Sequence, residues 1–149
     1  MRRVLIGRVV ATSAALVLLV GTFLPWITSG RRRRSSYQIF SLIERIGYPS
    51  SSAVGWALRL WPLLPLLTVA AITILWFHRP AMAAGVGGLA AAYATIVAVA
   101  VLTSSPSPLI DIEYGPIVTL VGAADFAVGL VFSIRAGSQE CQAPRASST

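Results

Sequence analysis

Asp125 stands at the middle of an apolar segment, "VTLVGAADFAVGLVFSI", in a chain of 149 residues. An ionisable side chain at hydrocarbon depth is expensive and marks a candidate proton or cation site. On an insertion scale the acid costs about 2.5 to 3.5 kcal/mol at a helix centre, and each Leu, Ile, Val or Phe returns about 0.3 to 0.6. The ten such residues between Ile117 and Ile134 offset it without a large surplus, so the carboxyl is expected to face away from lipid. Tyr93 lies at the middle of the preceding apolar segment, and Thr68, Thr12 and Ser13 offer hydroxyls in the others. A phenol at matching depth is the best donor, which predicts a Tyr93 to Asp125 hydrogen bond between the third and fourth helices. That pair would serve as an ion site or as an interhelical tie of about 1 kcal/mol.

The second concentration of chemistry is the run Arg31, Arg32, Arg33 and Arg34, five residues after Trp26. Four adjacent guanidinium groups suit nucleic acid, anionic lipid headgroups or an acidic partner. The remaining reactive side chains are isolated. His78 stands alone beside Arg79, so no metal site is expected. It falls on the opposite membrane face from Asp111 and far in depth from Asp125, which denies a Ser-His-Asp arrangement. Cys141, the one cysteine, allows neither a disulfide framework nor a thiol pair. No phosphate loop, paired catalytic carboxylates or cofactor motif is present, and no cofactor is expected. Small multidrug exporters carry their buried acid in the first of four helices, where this chain has none.

Composition says what must position these residues. Only 11% of the chain is charged, against about 25% in a soluble domain, which needs a polar shell. The basic excess, +7, falls between apolar segments and at the chain ends, so it reads as membrane topology rather than nucleic-acid binding. All twelve basic residues are arginine, and lysine and asparagine are absent, the pattern of a GC-rich codon bias. The architecture expected is all-α, an integral membrane four-helix bundle with spans of about residues 4–27, 53–77, 80–102 and 116–134, each able to supply the roughly twenty residues of a crossing. The first begins like a secretory signal but runs too long and lacks a small-x-small cleavage site, so an uncleaved span is expected.

Boundary residues fit these limits. Pro80 and Pro116 stand where helices begin, and Trp and Tyr gather near span ends. Pro62 and Pro65 interrupt the second span and predict a kink. Between the first two spans, Ser35 and Gln38 have capping-box spacing, followed by Ile39, Phe40, Ile43 and Ile46 on one face and Gly47 as a stop. A short amphipathic helix over about 36–46 is expected on the membrane surface. Residues 135–149 read as a polar, disordered tail. The third span carries Ala81, Gly85, Gly88 and Ala92 at three- and four-residue spacing, a face suited to packing in the bundle or to a homo-oligomer.

Parity puts the first and third loops on one membrane face, and the arginines divide evenly between the two. Arg2 and Arg3 before the first span and Arg8 near its start favour termini in the cytoplasm. The tetrad then shares the outer face with Asp111 and Glu113, while Arg59, within the second span, either snorkels to headgroups or pairs with one of those acids.

A first span ending in "LPW", a Ser-Gly turn, "RRRRSSY" and three further Ala/Val-rich helices resemble small four-span uncharacterised, or conserved hypothetical, membrane proteins of actinobacteria. Residues 24–37 are the most specific part. The resemblance implies a plasma-membrane location and brings no activity with it. The functional expectation is therefore a non-enzymatic membrane protein acting by association in the cell envelope, as scaffold, subunit or modulator, with lipids and a membrane-protein partner or second copy as its contacts. A small transporter or proton-coupled carrier using Asp125 is the alternative. A membrane enzyme on a lipid phosphate, held by Arg31 to Arg34, ranks third.

Overall fold

The computed structural model describes residues 2–29, 32–38, 41, 59–77, 79–103 and 110–142. Among the described residues the four main helices are α1 (Arg2–Phe23), α2 (Leu63–Trp76), α3 (Pro80–Thr103) and α4 (Gly115–Gln142). Helix α1 packs most extensively on α4, α4 on α3, and α3 on α2, while α1 and α2 meet along a thinner seam. Among the described residues three stretches, Val4–Phe23, Pro80–Thr103 and Gly115–Arg135, are long and apolar enough to cross a membrane.

Helix α2 is the exception, with 14 residues. At 1.5 Å per residue that is about 21 Å, short of a 30 Å hydrocarbon core. Its beginning explains the length. Arg59 and Leu60 are helical, Trp61 and Pro62 form a turn, and α2 restarts at Leu63 with Pro62 as its N-cap. Pro65 then occupies the third position, where its missing N–H would have had no partner within the helix. The expected kink is thus a break. Residues 53–58 of the expected second span lie outside the described residues.

Small residues set the closest approach, and they do so between α1 and α4 more than on the third helix. A Cβ added to Gly122 would meet the Leu18 amide nitrogen at 2.5 Å, and one on Gly129 the Ala11 nitrogen at 2.8 Å. Gly85 and Gly88 of α3, by contrast, face open space. Opposite α4, α3 presents the buried Gly87, beside Phe126 and Leu130.

Two features go beyond the sequence expectations. Helix α4 continues beyond Ile134 to Gln142, because nothing in "AGSQECQ" forbids helix; the first strong stop is Pro144, which disfavours helical geometry in the residue before it. Residues 143–149 lie outside the described residues. The fold is predominantly helical, in keeping with the all-α expectation, and adds a small sheet. Strands β1 (Pro25–Ser29), β2 (Arg32–Ser35) and β3 (Ile110–Ile112) form a sheet in the order β2-β1-β3. Both pairings are antiparallel, with Ser29 opposite Arg32, Thr28 opposite both Arg33 and Asp111, and a register shift between Pro25 and Ile27.

Candidate functional site

The sheet closes one end of the bundle by joining the segment after α1 to the segment before α4. Directly paired residues share a face, so Arg33, Thr28 and Asp111 lie side by side across the strands and Arg34, Ile27 and Ile112 lie on the other face. Glu113 continues the polar row. Its backbone N–H donates to the Trp26 carbonyl at 3.0 Å, and the Thr28 hydroxyl donates to its Oε1 at 2.7 Å. The Arg33 Nε stands 3.7 Å from the same oxygen. Among the described residues the arginine run reaches the acidic third loop through Arg33. Arg32 pairs by backbone with Ser29 at the strand end, and Arg31 lies outside the described residues. Arg59 is exposed, and among the described residues the ion pair to Glu113 is made by Arg33.

The Thr28 hydrogen bond, with help from Tyr114 and Arg33, holds the Glu113 carboxyl below its ordinary value of 4.5. A depressed carboxyl pKa adds stability that is complete above the unfolded value and lost as pH falls through the folded one. Acidification below about 4.5 is accordingly expected to loosen the β1 to β3 junction. The protection factor of the Glu113 amide, taken relative to the intrinsic exchange rate at each pH, should fall on acidification in the native chain, and Glu113→Gln should abolish that fall. Unaltered pH dependence in the variant would assign it to another group.

Beneath the sheet lies an aromatic cluster. The Trp26 indole is fully buried and donates from Nε1 to the Gly21 carbonyl at 2.9 Å. Its ring meets Trp61 edge-on at 5.3 Å, and Trp61 meets Tyr93 at 5.8 Å. Trp61 Nε1 donates to Ser36 Oγ at 3.1 Å, and Ser36 Oγ donates to the Thr22 carbonyl at 2.5 Å. This chain of contacts ties the end of α1, the residue after β2, the break before α2 and the middle of α3. Gly115 belongs to it as well, since a Cβ there would collide with the Trp26 ring and meet the Pro25 carbonyl at 2.6 Å.

The expected capping box is present in part: the Gln38 side chain accepts from the Ser35 backbone N–H at 3.3 Å, and residues 36–38 are helical. Most of the amphipathic helix expected over 36–46 lies outside the described residues.

Tyr93 and Asp125, expected to bond, point to different places. Tyr93 turns toward Trp61. Asp125 is exposed on the side of α4 away from α3, and among the described residues it takes part in no hydrogen bond or ion pair. Each lies about ten residues from the sheet end of its helix, so their depths agree; their directions around the helix do not. The side of α4 facing α1 and α3 is given to Gly122, Ala123, Phe126, Gly129 and Leu130, and Asp125 falls about 100° around from Phe126, as successive residues of a 3.6-residue turn must.

Comparison with family models, curated proteins and solved structures finds no match. The site must speak for itself. His78 lies outside the described residues, and among those described no three His, Cys, Asp or Glu side chains are grouped to hold a metal ion. The grooves along α4 are lined by Gly88, Ala91, Thr95 and Ala124 on one side and by Val131, Phe132 and Arg135 on another; neither includes Asp125 or Tyr93. What the sequence reading missed is the sheet. Two signals for it were available: the alternation Ile110, Asp111, Ile112, Glu113, which is the period of a strand, and the β-favouring Trp26, Ile27 and Thr28.

Proposed function

We propose that this chain is an integral membrane protein of the cell envelope, a four-helix bundle that acts by association rather than catalysis. The membrane reading is supported by what the helices turn outward: Leu66, Leu89, Ile96 and Phe132 are each more than 60% exposed, and scattered along whole helices such side chains suit lipid rather than water. The break before α2, plugged by Trp26, Trp61 and Tyr93, lets a short helix sit in a full-depth bundle. Arg31 to Arg34 and the sheet then lie at one membrane face. There the guanidinium groups not engaged by Glu113 are placed for lipid phosphates or an acidic partner.

The observation that carries association is the outward position of Asp125. A carboxyl at the middle of a span, turned from its own bundle, needs hydrogen-bonding company that another chain can supply. Transport would instead place Asp125 and Tyr93 together along a water-filled path, and the two residues diverge.

A photoreactive amino acid placed at Val128, exposed one turn from Asp125, tests the reading while leaving the carboxyl in place, and it avoids lysine-directed reagents, which this chain cannot use. Irradiation in native membranes is expected to yield a discrete protein adduct. Adducts to lipid alone would overturn association through this face.

A further inference from the structure

The sheet turns two neighbouring arginines in opposite directions, and their company differs. Arg33 shares its face with Thr28 and Asp111 and stands 3.7 Å from the Glu113 carboxylate. Arg34 shares its face with Ile27 and Ile112. All three are half-buried, and among the described residues the Arg34 guanidinium takes part in no hydrogen bond or ion pair. A cation held partly out of water between two isoleucines calls for an anion. The chain has five acids to offer. Asp111 and Glu113 belong to the other face of the sheet, and Asp125 and Glu140 follow the start of α4 at Gly115 by roughly 15 and 37 Å of helix. The fifth, Glu44, lies outside the described residues.

We infer that Arg34 binds the phosphate of an anionic phospholipid at the membrane face, with Ile27 and Ile112 against the upper part of its acyl chains. The inference rests on the membrane reading above and names the ligand of the arginine run. Strands β1 and β3 adjoin the ends of two stretches able to cross a membrane, Val4–Phe23 and Gly115–Arg135. That sets the sheet at headgroup depth, where lipid phosphate is the abundant anion. Phe23 and Ile117, in the helical turns next to the sheet, are exposed, so acyl chains reach the bundle up to the level of the strands. A guanidinium fork matches two phosphate oxygens at once. The isoleucines on either side of it favour a ligand whose charge is joined directly to an apolar portion, which a phospholipid has and an acidic peptide lacks. Arg33 is kept from this role by Glu113 and by the side of the sheet to which it belongs.

Native mass spectrometry of the full chain, released from micelles containing phosphatidylglycerol or phosphatidylcholine, tests the inference. A phosphatidylglycerol adduct is expected, and Arg34→Gln should weaken it about fivefold, the weight of one basic residue at an anionic surface. Arg33→Gln should leave it nearly unchanged. Far-UV circular dichroism of Arg34→Gln should match the native chain, because the guanidinium makes no bond within the described fold. Equal losses from the two variants would show mere counting of charge and overturn the inference, as would full retention by Arg34→Gln. Displacement of the lipid by millimolar inorganic phosphate would assign the site to a free anion instead. A severalfold gain in lipid from Glu44→Gln would make Glu44 the partner of Arg34 and also overturn it. If no lipid were held while the probe at Val128 still gave a protein adduct, the association reading would stand and the lipid site would fall. A chain that stays dissolved in water without detergent would remove both.

Discussion

Trp26→Ala is expected to cost about 3 to 5 kcal/mol, the range for emptying a fully buried large aromatic position. The indole is 0% exposed and meets the Trp61 ring, and its N–H is bonded to the Gly21 carbonyl. Three losses therefore combine: apolar burial, the ring pair and the hydrogen bond that secures the last turn of α1. The Gly21 carbonyl would also lose its indole donor. Denaturant titration in mixed micelles, followed by far-UV circular dichroism so that the loss of a tryptophan does not blur the signal, measures the change. Trp26→Phe separates the terms, since it restores most of the volume but not the donor. A cost below about 1 kcal/mol for the alanine variant would mean that the cluster beneath the sheet does not hold the bundle end together, as an ordinary surface substitution stays within that range.

Gly122→Val is the second large effect expected. A single added Cβ would stand 2.5 Å from the Leu18 nitrogen and 2.6 Å from its Cα. Both are backbone atoms of a helix and cannot rotate aside as a side-chain tip can. Overpacking costs about 1 to 3 kcal/mol in general, and a backbone-to-backbone contact belongs at the upper end. The variant is expected to unfold at lower denaturant than the native chain. Gly88→Val, on α3 where nothing lies within 4 Å, should leave the midpoint nearly unchanged. The pair is informative because both glycines lie in apolar helices and look alike in sequence. Equal losses at the two positions would show that the contact between α1 and α4 does not set the cost, since exchanging glycine for valine is not unfavourable for helix propensity at either.

The sequence by itself determined the positions of three long apolar helices, the helix starts near Pro80 and Pro116, the Ser35 and Gln38 cap, and the gathering of Arg33 and Glu113 at one end. Each follows from a local cause: an unbroken apolar run, a residue that cannot donate, a side chain reaching three positions along, and the parity of a chain that turns back at each helix. The depth of Asp125 was equally legible, because depth is rise per residue counted along a helix. Its direction was not. Which side of α4 turns inward depends on the close fit of Gly122 and Gly129 against Leu18 and Ala11, contacts between residues more than one hundred positions apart. That fit assigns Phe126 to the core and Asp125 to the outside. The sheet belongs to tertiary structure for the same reason. "RRRRS" has no strand pattern of its own and becomes β2 only because β1 offers it a ladder on one edge while β3, some eighty residues later, occupies the other.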